Sequence, residues 1–260
     1  DIRIGSDPFL LLREYPDFMN LPFLQNADYL KSLDGRGLNP LLQNYWMTTH
    51  PPTLFLGFSA GLFPFAYAMA GIWRQKYHEW IQPALTWIFF SVCILGTGIL
   101  MGGAWAYEAL SFGGFWAWDP VENASLVPWI TLVAGGHVMM LTRARKQSPV
   151  TALFLVFVSF VLILYSTFLT RSGILGETSV HAFTDLGMSG QLLLYLLVFI
   201  WLPAMLVLGK GKAGWIYFLI SVAVLLAGLN GGVFKHLTGL FILVSLLWTF
   251  RHIAQKYRDK

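Results

Sequence analysis

Two histidines and an aromatic loop are the residues of this chain best suited to chemistry. His50 stands before Pro51-Pro52, and His181 lies in Ser179-Val180-His181-Ala182-Phe183. Between them runs Phe112-Gly113-Gly114-Phe115-Trp116-Ala117-Trp118-Asp119-Pro120-Val121-Glu122-Asn123, with Trp105 and Tyr107 just upstream. The pair Gly113-Gly114 lets the backbone bend and approach a flat ligand closely. Trp116 and Trp118 offer a stacking wall for such a ligand. The competing reading is an aromatic belt, in which Trp and Tyr anchor helix ends at a bilayer surface. Taken singly, His50 and His181 are ordinary interfacial histidines. As a pair facing an aromatic platform they have the makings of bis-His ligation of haem iron. Arg171 directly follows an apolar run, and its planar fork suits a carboxylate such as a haem propionate. Lipid phosphate is an equal alternative for it. His137 lies inside an apolar run, where an ionisable residue is a functional hypothesis by default. Gly135-Gly136 beside it leaves space for a bulky neighbour. A haem buried there needs two such ligands. His137 is the one clear intramembrane histidine, and His252 a weaker second candidate.

The elements that must position these residues are membrane spans. The chain has 260 residues, 56% hydrophobic and only 12% charged. A soluble domain carries about 25% charge, so an all-α polytopic transmembrane bundle is expected. Seven spans are read at roughly 53–73, 83–106, 123–142, 149–170, 189–208, 213–230 and 234–250, the last being the shortest reading. Asp119-Pro120-x-Glu122 reads as a helix start, with Asp119 as cap, Pro120 in the first turn and Glu122 three residues on. Pro51 restricts His50 to an extended backbone, which would orient it at the start of the first span. Three regions follow: an external polar segment at 1–49, a ligand-handling core at 50–188 with its loop at 105–129, and C-terminal helices with a basic tail at 189–260.

Charge orients the spans. Alternate connections and the tail hold eleven basic residues, among them Arg74, Arg143, Arg145 and Arg251, against six on the other side. The basic side is expected to face the cytoplasm. His50, the aromatic loop, Arg171 and His181 then all lie on the outer face. An outer N-terminus without a signal peptide leads to the expectation of an earlier span upstream.

Several functions lose support. A single cysteine, Cys93, forms no internal disulfide, CxxC redox pair or cysteine-based zinc site. No phosphate-binding GxxxxGK[ST] or GxGxxG is present, and the basic residues are explained by orientation, so no nucleic-acid partner is expected.

The run Gly113 to Ser125, followed by Pro128-Trp129, resembles the tryptophan-rich WWD signature of the haem-handling cytochrome c assembly family. Leu38-Asn39-Pro40-Leu41-Leu42-Gln43 with His50-Pro51-Pro52, and Thr167-Phe168-Leu169-Thr170-Arg171-Ser172-Gly173 with Ser179-Val180-His181-Ala182-Phe183, resemble its CcmF branch. The resemblance runs from about 38 to 187. It implies a haem lyase subunit in the bacterial inner membrane, with an active periplasmic face. Such a protein takes haem b from a haem chaperone and promotes thioether attachment to the CxxCH cysteines of an apocytochrome c, alongside other maturation subunits. The resemblance further implies that the aromatic loop binds the delivered haem and that His50 and His181 are its axial ligands. His137 matches a transmembrane ligand of a second, structural haem, whose other ligand has no match here. Phe112 and Phe115 stand where the family usually has Trp, which keeps a stacking face but removes an indole donor. Lone Cys93 is read as a packing residue. The alternatives are a haem-binding or delivery module without attachment activity, and a haem transporter.

Overall fold

The computed structural model describes residues 20–22, 26, 28, 31, 37–109, 114–145, 148–175, 178–179, 189–208, 211–229 and 233–258. Gly113 and His181 lie outside the described residues. Among these, eight α-helices occur and no strand: α1 (Tyr45–Ala60), α2 (Leu62–Arg74), α3 (Ile81–Ala109), α4 (Pro120–Arg145), α5 (Val150–Arg171), α6 (Ser189–Leu208), α7 (Gly211–Leu229) and α8 (Val233–Arg258). Helices α1 and α2 follow one another through Gly61 as a single 30-residue apolar unit. That unit, α3, α4, α5, α6 and the Leu237–Gln255 part of α8 are each long and apolar enough to cross a bilayer. The protein is therefore a multi-pass helical membrane bundle. The seven expected spans each fall on a helical unit. The short one is the sixth, with an apolar stretch of Gly214–Ala227, and not the last. Helix α8 is longer than hydropathy indicates because Arg251 to Arg258 is made of Ala, Gln, Lys, Arg and other residues that tolerate helix well.

The first span starts earlier than its hydropathy. Asn44 caps α1, its side chain accepting the Trp46 N–H at 2.9 Å. Helix α1 therefore contains Pro51 and Pro52, and His50 is helical instead of extended. The cap nucleates helix five residues upstream of His50, and that outweighs the bias against helix before proline.

Helices α1 and α3 lie in close backbone contact. A Cβ on Gly57 would stand 2.6 Å from Leu95 Cα, and one on Gly98 would stand 2.9 Å from Leu54 Cα. Ser91 Oγ adds an interhelical hydrogen bond to Gly57 O at 2.8 Å. Small residues that admit a neighbouring backbone are how helices associate where lipid removes the hydrophobic drive. Helices α3, α4 and α5 complete the centre through Ile88, Leu95, Leu132, Met139 and Val156, all fully buried. Ser159 Oγ meets Thr131 Oγ1 at 2.8 Å between α4 and α5. Phe65 stacks on Phe160 at 4.5 Å, joining α2 to α5. Phe199 of α6 reaches both rings, and Phe250 of α8 packs on Phe154 and Phe157. Helix α7 is held chiefly by α8, where Thr238 Oγ1 donates to Val224 O at 2.8 Å.

At the basic end, α2 stops in a Schellman turn. Gln75 is left-handed at φ 58°, Lys76 N donates to Gly71 O and Gln75 N to Ile72 O. The following loop is packed inward, with Trp80 3% exposed. Burial raises the Tyr77 phenol above its ordinary pKa.

Candidate functional site

The aromatic loop is built around a capping box. Asp119 Oδ2 accepts the Val121 N–H at 3.0 Å, and Glu122 Oε2 reaches back to the Asp119 N–H at 3.2 Å. Glu122 Oε2 also accepts the Ala117 N–H at 3.1 Å, so one carboxylate gathers the whole turn 117–119. Asn123 Nδ2 donates to the carbonyls of Trp118 and Asp119. This clamp holds Trp118 at φ 59°, a conformation that costs an L-residue about 1–2 kcal/mol. Its ring is turned outward, 71% exposed.

A pocket of about 340 Å³ opens beside this turn. It is lined by the first half of the α1–α2 unit, the end of α3, the start of α4 and the end of α5. Those four segments therefore share one face of the bundle, as the span reading requires. Leu54, Phe55, Phe58 and Ile99 give the lining apolar surface. Glu122, Ser125, Ser166, Thr167, Thr170 and Arg171 add polar groups to it. A flat amphipathic ligand with a carboxylate edge matches that lining.

His50 and Trp105 stand together in this pocket, ring centroids 6.1 Å apart. His50 Nδ1 lies 2.7 Å from Gly98 O. A carbonyl only accepts, so Nδ1 carries the proton and Nε2 carries the lone pair. That tautomer suits metal ligation, since a ligating imidazole ordinarily donates its other N–H to a carbonyl or carboxylate. The ring fits because residue 102 is glycine: a Cβ there would meet His50 Cε1 at 2.7 Å. Trp105 is fixed in turn by its Nε1, which donates to Leu41 O at 3.1 Å. Leu41 belongs to a one-turn 3-10 helix, Pro40–Leu42, capped by the Asn39 side chain.

Trp116 lines the pocket, and its Nε1 is buried without a hydrogen-bond partner among the described residues. A buried orphan donor costs about 1–3 kcal/mol, which a carboxylate ligand would recover. Trp116 and Trp118 are perpendicular to each other, at 86° and 6.3 Å. Trp129 turns away altogether, donating to Val92 O at 2.9 Å inside the bundle. Gly114 sits beside Phe115, whose ring packs where a Gly103 Cβ would be.

His137 is exposed on the flank of the bundle. Its Nδ1 lies 2.8 Å from Val133 O on its own helix, which again leaves the lone pair on Nε2. Gly135-Gly136 leaves space for bulky neighbours, as expected, and these are protein side chains. It admits Ile88 and Phe89 of α3, each 3.2 Å from an added Cβ. Any haem at His137 would lie on the outside of this bundle.

A profile of the Cytochrome C assembly protein family matches residues 29–175. This chain belongs to that family. The matched span contains the pocket, His50, the aromatic turn, His137 and Arg171. The chain is 40% identical over 186 residues to the cytochrome c-type biogenesis protein CycK of Bradyrhizobium diazoefficiens, covering 69% of this chain and 27% of CycK. It is 36% identical over 205 residues to the cytochrome c-type biogenesis protein CcmF of Escherichia coli, covering 76% and 30%. With the probable cytochrome c-type biogenesis protein NrfE of Escherichia coli it shares 40% over 153 residues, 58% and 27%. The chain thus spans under a third of the length of these relatives. No solved structure matches it significantly. Within the family fold, the residues that sequence reasoning passed over are Gly102, the hydroxyl wall of Ser166, Thr167 and Thr170, and Glu122 as a gatherer of amides. The Thr-x-x-Thr-Arg spacing was the available signal, since it puts both hydroxyls and the guanidinium near one helical face.

Proposed function

We propose that this chain is the haem-handling part of a cytochrome c maturation protein. It binds haem b at the outer face of the bacterial inner membrane and promotes thioether attachment to the CxxCH cysteines of apocytochrome c. The observation that carries the reading is His50, held by Gly98 O at 2.7 Å, in a pocket that Trp105, Trp116 and Arg171 also line. His181, on the segment that continues from Ser179, supplies the second axial ligand. Trp116 and Trp105 give the macrocycle its aromatic contacts, and Trp118 meets the incoming partner at the rim. Gly113 and Gly114, having no side chain, allow a flat ligand to come close to the chain. Arg171, with the Trp116 Nε1–H, takes a propionate.

The reaction joins each substrate thiol to a haem vinyl, making one C–S and one C–H bond and expelling nothing. The chain therefore needs no nucleophile of its own. Its task is to hold the vinyl edge where the peptide can reach it, which is catalysis by positioning. The haem chaperone delivers haem and apocytochrome c receives it, with other maturation subunits completing the complex in the lipid bilayer. His137 holds a second, structural haem b against a helix outside the described bundle. The 50–188 region is the working unit, and 189–260 supports it.

Maturation of a reporter cytochrome c in cells lacking their own lyase tests attachment. Colour in the reporter with the wild-type protein and none with His50→Ala is the expected result. Haem bound to the protein with no reporter matured would instead mark a delivery module.

A further inference from the structure

The pocket offers more hydrogen-bond acceptors than haem can use. Helices α4 and α5 bring hydroxyl groups to its lining at Ser125, Thr167 and Thr170. Each hydroxyl hydrogen is spent on a helix carbonyl. Ser125 Oγ donates to Glu122 O at 2.7 Å, and Thr167 Oγ1 to Ile163 O at 3.2 Å. Thr170 Oγ1 reaches Thr167 O and Ser166 O at 3.0 and 3.1 Å. A hydroxyl has one hydrogen and two lone pairs, so these groups meet a ligand as acceptors. The Glu122 carboxylate in the same lining only accepts when ionised. Two ring N–H donors are spent as well, His50 Nδ1 on Gly98 O and Trp105 Nε1 on Leu41 O. The remaining side-chain donors of the lining are the Arg171 guanidinium and the Trp116 N–H.

Haem needs the reverse of this set. Its ionised propionates accept, its vinyl and methyl groups do neither, and its ring nitrogens are taken by iron. Arg171 and Trp116 suffice for the propionate edge. The acceptor oxygens are left without a haem group to bond, and a polar atom pressed against an apolar surface is costly. The reactant rich in N–H donors is the peptide. We infer that Thr167 and Thr170, with Ser125 beside them on α4, form a peptide subsite. They accept N–H groups of the apocytochrome c segment that brings its CxxCH cysteines to haem. The inference rests on the attachment reading above. Thr167 and Thr170 stand about 4.5 Å apart along the α5 axis and near one helical face, with Arg171 the next residue. The helix that takes a propionate therefore also holds the peptide. One rigid element then sets the thiols against the haem edge, which is how positioning lowers the barrier.

The test uses the full chain purified in detergent with its haem. It compares wild type with Thr167→Val/Thr170→Val, which keeps β-branching and removes both oxygens, and with Thr167→Ser/Thr170→Ser, which keeps them. The probe is a labelled apocytochrome segment with Ser-x-x-Ser-His in place of Cys-x-x-Cys-His, which binds without reacting. Haem titration, the visible spectrum and reporter maturation in cells lacking their own lyase are read beside it. The Val pair should hold haem within twofold of wild type and keep its spectrum. It should bind the peptide about 10-fold more weakly or worse, as two lost hydrogen bonds require, and mature the reporter in the same proportion. The Ser pair should restore both. Peptide binding and maturation unchanged in the Val pair would overturn the subsite and leave the attachment reading standing. Haem affinity falling in step with peptide affinity would also overturn it, since the hydroxyls would then serve haem. A wild type that holds haem but neither binds the peptide nor matures the reporter would overturn the attachment reading, and the subsite with it.

Discussion

The donor atoms of the pocket carry the most specific consequences. Trp116→Phe keeps the stacking face and removes the unpartnered indole N–H at the pocket, so haem should bind about 5–30-fold more weakly, corresponding to about 1–2 kcal/mol. Trp118→Phe, outside the pocket, should leave haem affinity within twofold in the same titration. Gly102→Ala places a Cβ 2.7 Å from the His50 ring. The ring must move, the bond to Gly98 O breaks, and the low-spin haem spectrum should be lost while the helical circular dichroism persists. These residues differ in how far the sequence disclosed them. His50, Trp116 and Asp119 were legible because type and spacing carried a mechanism. Gly102 was not, because its importance lies in what crosses from another helix 52 positions away in the chain. The angle between Trp116 and Trp118 was equally hidden. It follows from the left-handed backbone at Trp118 that the Glu122 and Asn123 clamps impose.

Helices α1 and α3 set the frame that brings His50 to its acceptor. A Cβ at Gly57 would collide with Leu95 backbone, which cannot swing aside as a side chain can. Gly57→Ala should therefore destabilise the protein by about 1–3 kcal/mol and weaken haem retention. Gly190→Ala, with nothing within 4 Å of its added Cβ, should be neutral or slightly stabilising in the same thermal assay. The capping box at α4 was readable in full from Asp119-Pro120-x-Glu122. The start of α1 was not, because hydropathy marks where lipid begins and says nothing of the Asn44 cap that extends the helix outward. For the same reason α8 runs past its apolar stretch into basic residues.

Among the described residues, the parts of α1, α3, α4 and α5 that line the pocket lie on one side, and Arg143 and Arg145 lie at the far end of α4. That arrangement was legible from charge asymmetry alone, since only alternation of spans satisfies it. In a Cys93→Ser background, a membrane-impermeant thiol reagent applied to intact cells should label Ile174→Cys and leave Gln75→Cys untouched. The reverse pattern would put the pocket on the cytoplasmic side and remove apocytochrome c as its substrate. The central claim is met most directly by a reduced-minus-oxidised visible spectrum of the purified protein, with haem counted per chain. The wild type should show a bis-His spectrum that His50→Ala and His181→Ala each abolish at the outer site, with His137→Ala leaving that signal in place. Haem content and spectrum unchanged in both His50→Ala and His181→Ala would contradict it.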